Sequence, residues 1–231
     1  PVYTLIVDDA STDNEPEVIR NYLAEHFQAP YREEETDDYY LICANHKTNT
    51  NCYFVVLLLK YNHYSIKKNK FPYLSEWLDN AKYQAMCEGD DYWTDPQKQI
   101  EELESDSTLG MCYTRCRYFY QDRGQLASKP WGGDSRTFND FMKSNTVPTL
   151  TVIFKQELFR RYNDEIASKK KWLLGDYPMW IFFSHESGVS FLPIETGVYR
   201  VLAKSASHTQ QSDDKIKFSM SHIDVLEYFN K

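Results

Sequence analysis

Residues 87–96 read Cys-Glu-Gly-Asp-Asp-Tyr-Trp-Thr-Asp-Pro, which places four carboxylates, Glu88, Asp90, Asp91 and Asp95, within eight residues. An apolar segment, Tyr83 to Cys87, leads into this stretch, and the helix formers Gln97 to Leu103 lead out of it. Crowded carboxylates repel one another and resist burial, so the chain has to turn here at the rim of the core its flanks build. A hard divalent cation relieves such crowding, because it prefers oxygen ligands and can bridge to the phosphates of a nucleotide. A solvated acidic turn is the simpler alternative, and Asp95-Pro96 by itself reads as a helix cap with proline in the first turn. The flanking Cys87, Tyr92 and Trp93 favour a metal and diphosphate site over a bare turn.

The remainder of the chain narrows the choice of class. With 231 residues it can bury a full core, and a formal net charge of −8 argues against an extended contact with a nucleic-acid backbone. The five cysteines, Cys43, Cys52, Cys87, Cys112 and Cys116, form an odd set without paired Cys-x-x-Cys elements. That pattern suits neither a disulfide framework nor a structural zinc site and fits a reducing compartment. The longest apolar run, Tyr53 to Leu59, is too short to cross a bilayer, and no charged and apolar leader precedes Val2. The expected location is cytoplasmic, with peripheral contact at the inner membrane face as the only membrane contact allowed.

Along the chain, Val2 to Val7 reads as a strand, Asp8 to Asp13 as a polar turn able to cap, and Val18 to Phe27 as a helix. Residues 32–52 read as a polar, Asn-rich connection. Tyr53 to Leu59 is a second strand, Tyr73 to Ala81 a helix and Tyr83 to Cys87 a short strand. Further strands are expected at Gly110 to Tyr120, Thr149 to Phe154, Val189 to Leu192 and Val198 to Val201. Helices are expected at Phe138 to Lys143, Gln156 to Tyr162 and Met179 to His185. A C-terminal helix follows, with Ser212 or Asp213 as its cap. Such an order makes an α/β fold, and ligands of open α/β sheets bind beyond the carboxyl ends of strands, where Asp8, Asp9, Glu88, Asp90 and Asp91 would lie.

Four motifs in order, Val7-Asp8-Asp9-Ala10-Ser11-Thr12-Asp13, the turn at Glu88 to Asp91, Gly175-Asp176, and Tyr199-Arg200 with Ser205 and Ser207, resemble the family 2 glycosyltransferases over nearly the whole chain. Cys87 to Pro96 and Asn62 to Ile66 look especially like bacterial members that build surface polysaccharides. The resemblance implies a GT-A (Rossmann-like) mixed sheet flanked by helices, a single domain over 1–208. A nucleotide-binding half would span 1–96, an acceptor-binding half 97–208, and a terminal helix 209–231. By the same resemblance Asp8 or Asp9, with Ser11, meets the nucleotide base and ribose. Glu88-Gly89-Asp90 matches the Asp-x-Asp motif: Glu88 contacts ribose or a water, and Asp90, joined by Asp91, ligates Mn2+ or Mg2+. Asp176 matches the catalytic base, although Gly175-Asp176-Tyr177-Pro178 is also a fair helix cap. The expected partners are a nucleotide-sugar donor, UDP by family frequency, and a saccharide or lipid-linked acceptor.

Relatives in that family begin with an apolar strand and a helix that line the nucleotide pocket, and Pro1 begins after both, so one pocket wall is expected to be missing. Many carry a histidine near the metal where this chain has Leu202; His208 is the nearest substitute. Trp93, Trp131 and Trp172 could stack on sugar rings, although aromatic side chains more often serve a core; Trp93 is chosen for its place beside the acidic turn. Lys67, Lys68, Lys70 and Lys169 to Lys171 could meet a diphosphate but match a solvated face equally well. The competing functions are a truncated or degenerate relative that binds nucleotide or glycan without turnover, and nucleotidyl transfer, which would normally show a Gly-rich basic phosphate loop.

Overall fold

The computed structural model describes residues 1–95, 97–202 and 212–231, the side chains of 212–214 excepted. Pro96, Ser205, Ser207, His208 and the Ser212 or Asp213 cap therefore lie outside what is described. The chain divides into two compact units, Pro1–Asn80 and Ala81–Lys231. Both are mixed sheets with helices against them. The acidic turn, read from sequence as part of a half ending at 96, lies in the second unit.

In the first unit β1 (Val2–Asp8), α1 (Glu15–His26), β2 (Arg32–Glu35), β3 (Tyr39–Asn45) and β4 (Cys52–Leu59) precede a short turn of 3-10 helix at Phe71–Leu74 and α2 (Ser75–Leu78). The sheet order is β1-β4-β3-β2, with β1 parallel to β4 and the other pairs antiparallel. Apolar residues of β4 alternate between two clusters: Val56 and Leu58 face Leu23 and Phe27 of α1, while Val55, Leu57 and Leu59 face Leu74. Burial on both faces is why this strand is an uninterrupted apolar run.

The polar connection expected over residues 32–52 is instead largely sheet. Tyr39–Asn45 pairs with β4 along its length, and Arg32–Glu35 forms a charged edge, a composition that discourages pairing with other chains. The helix expected over Tyr73 to Ala81 shrinks to the 3-10 turn and the four residues of α2. At the start of α1 the cap Asn14 makes no side-chain bond, and Asp13 Oδ1 accepts from Glu15 N–H at 2.9 Å.

The second unit contains β5 (Tyr83–Ala85), β6 (Tyr92–Trp93), α3 (Gln97–Ser105), β7 (Leu109–Tyr120), β8 (Gln125–Leu126), α4 (Phe138–Lys143), a 3-10 turn (Thr149–Thr151), β9 (Ile153–Lys155), α5 (Gln156–Tyr162), α6 (Tyr177–Glu186), β10 (Gly188–Val201) and α7 (Ser212–Phe229). The sheet order is β5-β9-β7-β10-β6, β8 folding back on β7, and only β7 and β10 run parallel. Helix α6 is buried from Tyr177 to Phe183, as a helix apolar all round must be, and packs with Met111, Tyr113, Phe141, Phe159 and Val225.

Two strands expected at Val189 to Leu192 and Val198 to Val201 are one, β10, whose register against β7 shifts between Phe191 and Gly197. Pro193 lies in this irregular stretch; without an N–H it cannot complete a regular ladder. The strand expected from Thr149 begins only at Ile153, after the 3-10 turn. A buried polar layer fixes that turn: Gln99 Nε2 donates to Thr151 O at 3.1 Å and to Thr196 Oγ1 at 3.0 Å, and the Thr114 and Thr196 hydroxyls are 2.6 Å apart.

Candidate functional site

The first unit gathers Asp8, Asp9 and Ser11 at the carboxyl end of β1. Asp8 is buried, and Oδ1 accepts from Ser11 N–H at 3.2 Å. Ala10 takes a left-handed φ of 58°, which folds the turn back. Asp9 ties this turn to the segment after β4: its Oδ1 accepts from His63 N–H at 2.6 Å and its Oδ2 from Tyr64 N–H at 3.1 Å. Lys70 Nζ stands 3.7 Å from Oδ2, while Lys68 is occupied elsewhere, 2.8 Å from Asp38. Each Asp9 oxygen keeps a second lone pair for a ligand donor.

The second unit gathers Glu88, Asp90, Asp91, Trp93 and Asp176. The acidic turn joins β5 to β6, and β6 adds to the outer edge of β10, Tyr92 opposite Val198 and Trp93 opposite Gly197. Asp91 Oδ1 accepts from Arg200 N–H at 2.7 Å, which fastens the turn to the end of β10. Asp91 Oδ2 and Arg200 Nε are buried with no hydrogen-bond partner among the described residues. Burial pushes the Asp91 carboxyl up to about 6; the Arg200 N–H and guanidinium oppose that shift, and the charges of Asp90 and Glu88 add to it. Glu88 is solvent-accessible, yet loss of hydration among surrounding protein atoms raises its carboxyl, assisted by the charges of Asp176 and Asp90.

Asp176 caps α6. Its Oδ1 accepts from Tyr177 N–H at 2.7 Å and its Oδ2 accepts the hydroxyl proton of Thr149. The cap reading of Gly175-Asp176-Tyr177-Pro178 therefore holds, and a capping carboxylate is by that fact held rigid. The electrostatic effect of Asp176 on Glu88 places the two in one charged neighbourhood. Thr149, which opens a segment read from sequence as a strand, was not singled out for the site; it lies instead in the 3-10 turn, and only the fold brings its hydroxyl to Asp176.

Trp93 is 40% exposed, and its Nε1–H donates to Leu150 O at 2.5 Å, so the ring is anchored to the 3-10 turn that also carries Thr149. The turn approaches β10 closely: a Cβ on Gly197 would come within 2.9 Å of Leu150. Trp172 has a structural partner, Asp224 of α7, at 2.6 Å. Cys87 is solvent-exposed, and loss of hydration among neighbouring protein atoms, followed by the charges of Asp91, Glu88 and Asp90, pushes its thiol up to about 12.

Among the described residues no three His, Cys, Asp or Glu side chains converge as a ready metal cage. The donor set nevertheless suits a hard cation: Asp91 Oδ2 is a buried acceptor lacking a donor, and Asp90 adjoins it in a turn of mutually repelling carboxylates. Such an ion would complete its coordination from water or ligand phosphate oxygens. Among the described residues no helix is long and apolar enough to cross a membrane.

No family model matches the chain. Uncharacterized proteins from Mycobacterium bovis and from two strains of Mycobacterium tuberculosis are 26% identical to it over 221 residues, which covers 92% of this chain and 54% of each relative. The chain thus spans about half the length of the curated relatives it matches.

Proposed function

We propose that the chain is an inverting glycosyltransferase of the GT-A type, moving a sugar from a nucleoside diphosphate donor, with UDP as the first choice, to a hydroxyl of a saccharide or lipid-linked acceptor. The observation that carries this reading lies within the second unit: an acidic turn fastened to β10 by Asp91 shares its electrostatic neighbourhood with a rigid helix-capping carboxylate, Asp176. Paired acidic functions of this kind suit a reaction that must both stabilise a diphosphate leaving group and remove a proton from an attacking hydroxyl.

In this reading Asp176 takes the proton of the acceptor hydroxyl as its oxygen attacks the anomeric carbon opposite the leaving diphosphate, and attack from that side inverts the centre. The Tyr177 N–H and Thr149 hydroxyl fix the direction of the carboxylate, leaving its remaining lone pairs for the substrate. A positioned general base contributes about 10²- to 10⁴-fold. Mn2+ or Mg2+, held by Asp90 and Asp91, would offset the charge developing on the diphosphate. Glu88 takes a ribose or water contact. Trp93 borders the acceptor.

Calorimetric titration of UDP with and without Mn2+ tests the reading. Saturable binding that requires Mn2+ is expected. Absence of binding in both conditions, with the protein shown to be folded, would remove the donor assignment.

A further inference from the structure

Beyond the acidic turn, the second unit carries an aromatic shelf around Trp131, which the sequence offers only as one of three tryptophans able to stack on a sugar ring. Tyr118 on β7 lies opposite Tyr199 on β10, the two rings edge to face with centroids 5.3 Å apart. Trp131 stacks on Tyr118 at 5.9 Å and 21°, and 37% of the tryptophan remains exposed. A core aromatic would be covered; this one is held in place and left open.

The holding is specific. Trp131 N–H donates to Cys116 O at 2.8 Å, and Cys116 N–H donates to Trp131 O at 2.9 Å, so the loop is pinned to β7 by its backbone. The next residue, Gly132, has φ of +126°, and a Cβ there would meet Pro148 at 3.1 Å and Arg115 and Thr114 backbone at 3.2 Å. Glycine is required on both counts. The loop is therefore wedged against Pro148, and the following residue, Thr149, donates its hydroxyl to Asp176. Tyr199 precedes Arg200, whose backbone N–H binds Asp91, so the acidic turn is fastened to β10 one residue along from the shelf. Asp91 also acts electrostatically on Cys116, the residue paired with Trp131.

An aromatic face stacked on another ring, with hydroxyl groups from Tyr118 and Tyr199 in the same cluster, suits a ligand ring with one apolar face and a polar edge. A pyranose has that form: its axial C–H bonds lie on the negative π face while its hydroxyls bond at the rim. We infer that Trp131, backed by Tyr118 and Tyr199, is the platform for a pyranose ring of the acceptor saccharide, set beside Asp176 through Gly132, Pro148 and Thr149. Trp131 is then a specificity-determining residue, and Trp93, whose N–H is spent on Leu150, has the smaller part. The assignment rests on the transferase reading for the word acceptor but not for the binding itself.

The test uses the full chain labelled with 5-fluorotryptophan. Its five tryptophans, Trp77, Trp93, Trp131, Trp172 and Trp180, give separable 19F resonances, and Trp131→Phe assigns the relevant one. Cellotetraose, maltotetraose, chitotetraose and isomaltotetraose are each titrated to millimolar concentration. A saturable shift of the Trp131 resonance with at least one probe, with Trp172 and Trp180 unmoved, is expected. Tyr118→Ala should weaken that binding about fivefold or more, unchanged Trp172 and Trp180 signals reporting that the variant is folded. No movement of the Trp131 resonance with any of the four, or movement of Trp93 alone, overturns the platform. Donor binding separates the two ideas. A saccharide shift at Trp131 without Mn2+-dependent UDP binding keeps the platform and discards the transferase; UDP binding with a silent Trp131 does the reverse.

Discussion

The hydroxyl of Thr149 donates to the same carboxylate, Asp176, that caps α6 through Tyr177 N–H. One residue thus closes a helix end and presents a fixed carboxylate, and its second partner comes from a turn clamped over β10 by Gln99, Thr151 and Thr196. Removing the Thr149 hydroxyl should loosen the direction of the carboxylate without removing it. Thr149→Val is expected to lower turnover about tenfold with donor binding unchanged, and Thr149→Ser to restore it, as a hydrogen bond to a charged group carries about 1.5–3 kcal/mol. Calorimetry with UDP and Mn2+ beside steady-state rates would check both halves.

Asp176→Asn keeps the shape and an acceptor for Tyr177 N–H but cannot take a proton. Turnover should fall by roughly 10² or more while UDP binding stays as in the parent. An unchanged rate would take Asp176 out of the mechanism.

Asp90→Ala should abolish the Mn2+ dependence of UDP binding. Undiminished Mn2+-dependent affinity in this variant would show that the ion, if bound, is held elsewhere.

Asp91 provides a pH signature. Its carboxyl sits at about 6 in the folded chain against an ordinary value of 3.8, so folding favours the protonated form. The associated stability is present below about pH 4 and is lost as pH rises through 6, where ionisation costs on the order of 1–3 kcal/mol. Asp91→Asn, which can still accept from Arg200 N–H, should therefore be more stable than the parent at pH 7.5, with the difference vanishing near pH 4. Urea unfolding at the two pH values, without added metal, would measure it.

Asp38 has the opposite sign. Lys68, Tyr61 and Tyr73 hold its carboxyl far below the ordinary range. Its contribution is present above the unfolded value near 4 and is lost as pH falls through the lower folded value. Asp38→Asn should destabilise the first unit at neutral pH, and the deficit should narrow in strong acid. Unfolding followed at Trp77, which belongs to that unit, would report it.

Sequence alone determined the elements whose apolar period stands by itself: β1 and the turn after it, β4, the strand ending near Tyr120, the helices at Phe138–Lys143 and Gln156–Tyr162, and the all-apolar α6. Local chemistry is enough there, since β-branched runs, caps and buried faces leave a pattern in the residues. It also marked Glu88, Asp90, Asp91 and Asp176, because carboxylates in a turn or at a helix start are conspicuous. Only the tertiary structure decided that Tyr39–Asn45 is a strand, since its partner β4 supplies the pairing that its polar neighbours concealed. Tertiary structure alone joined two apparent strands into β10, whose irregular middle breaks the period. It decided as well that Trp93 is anchored, that Trp131 is open, and that Thr149 meets Asp176 across 27 positions. Contacts between residues distant in sequence leave no local period, so they become visible only when the chain has folded.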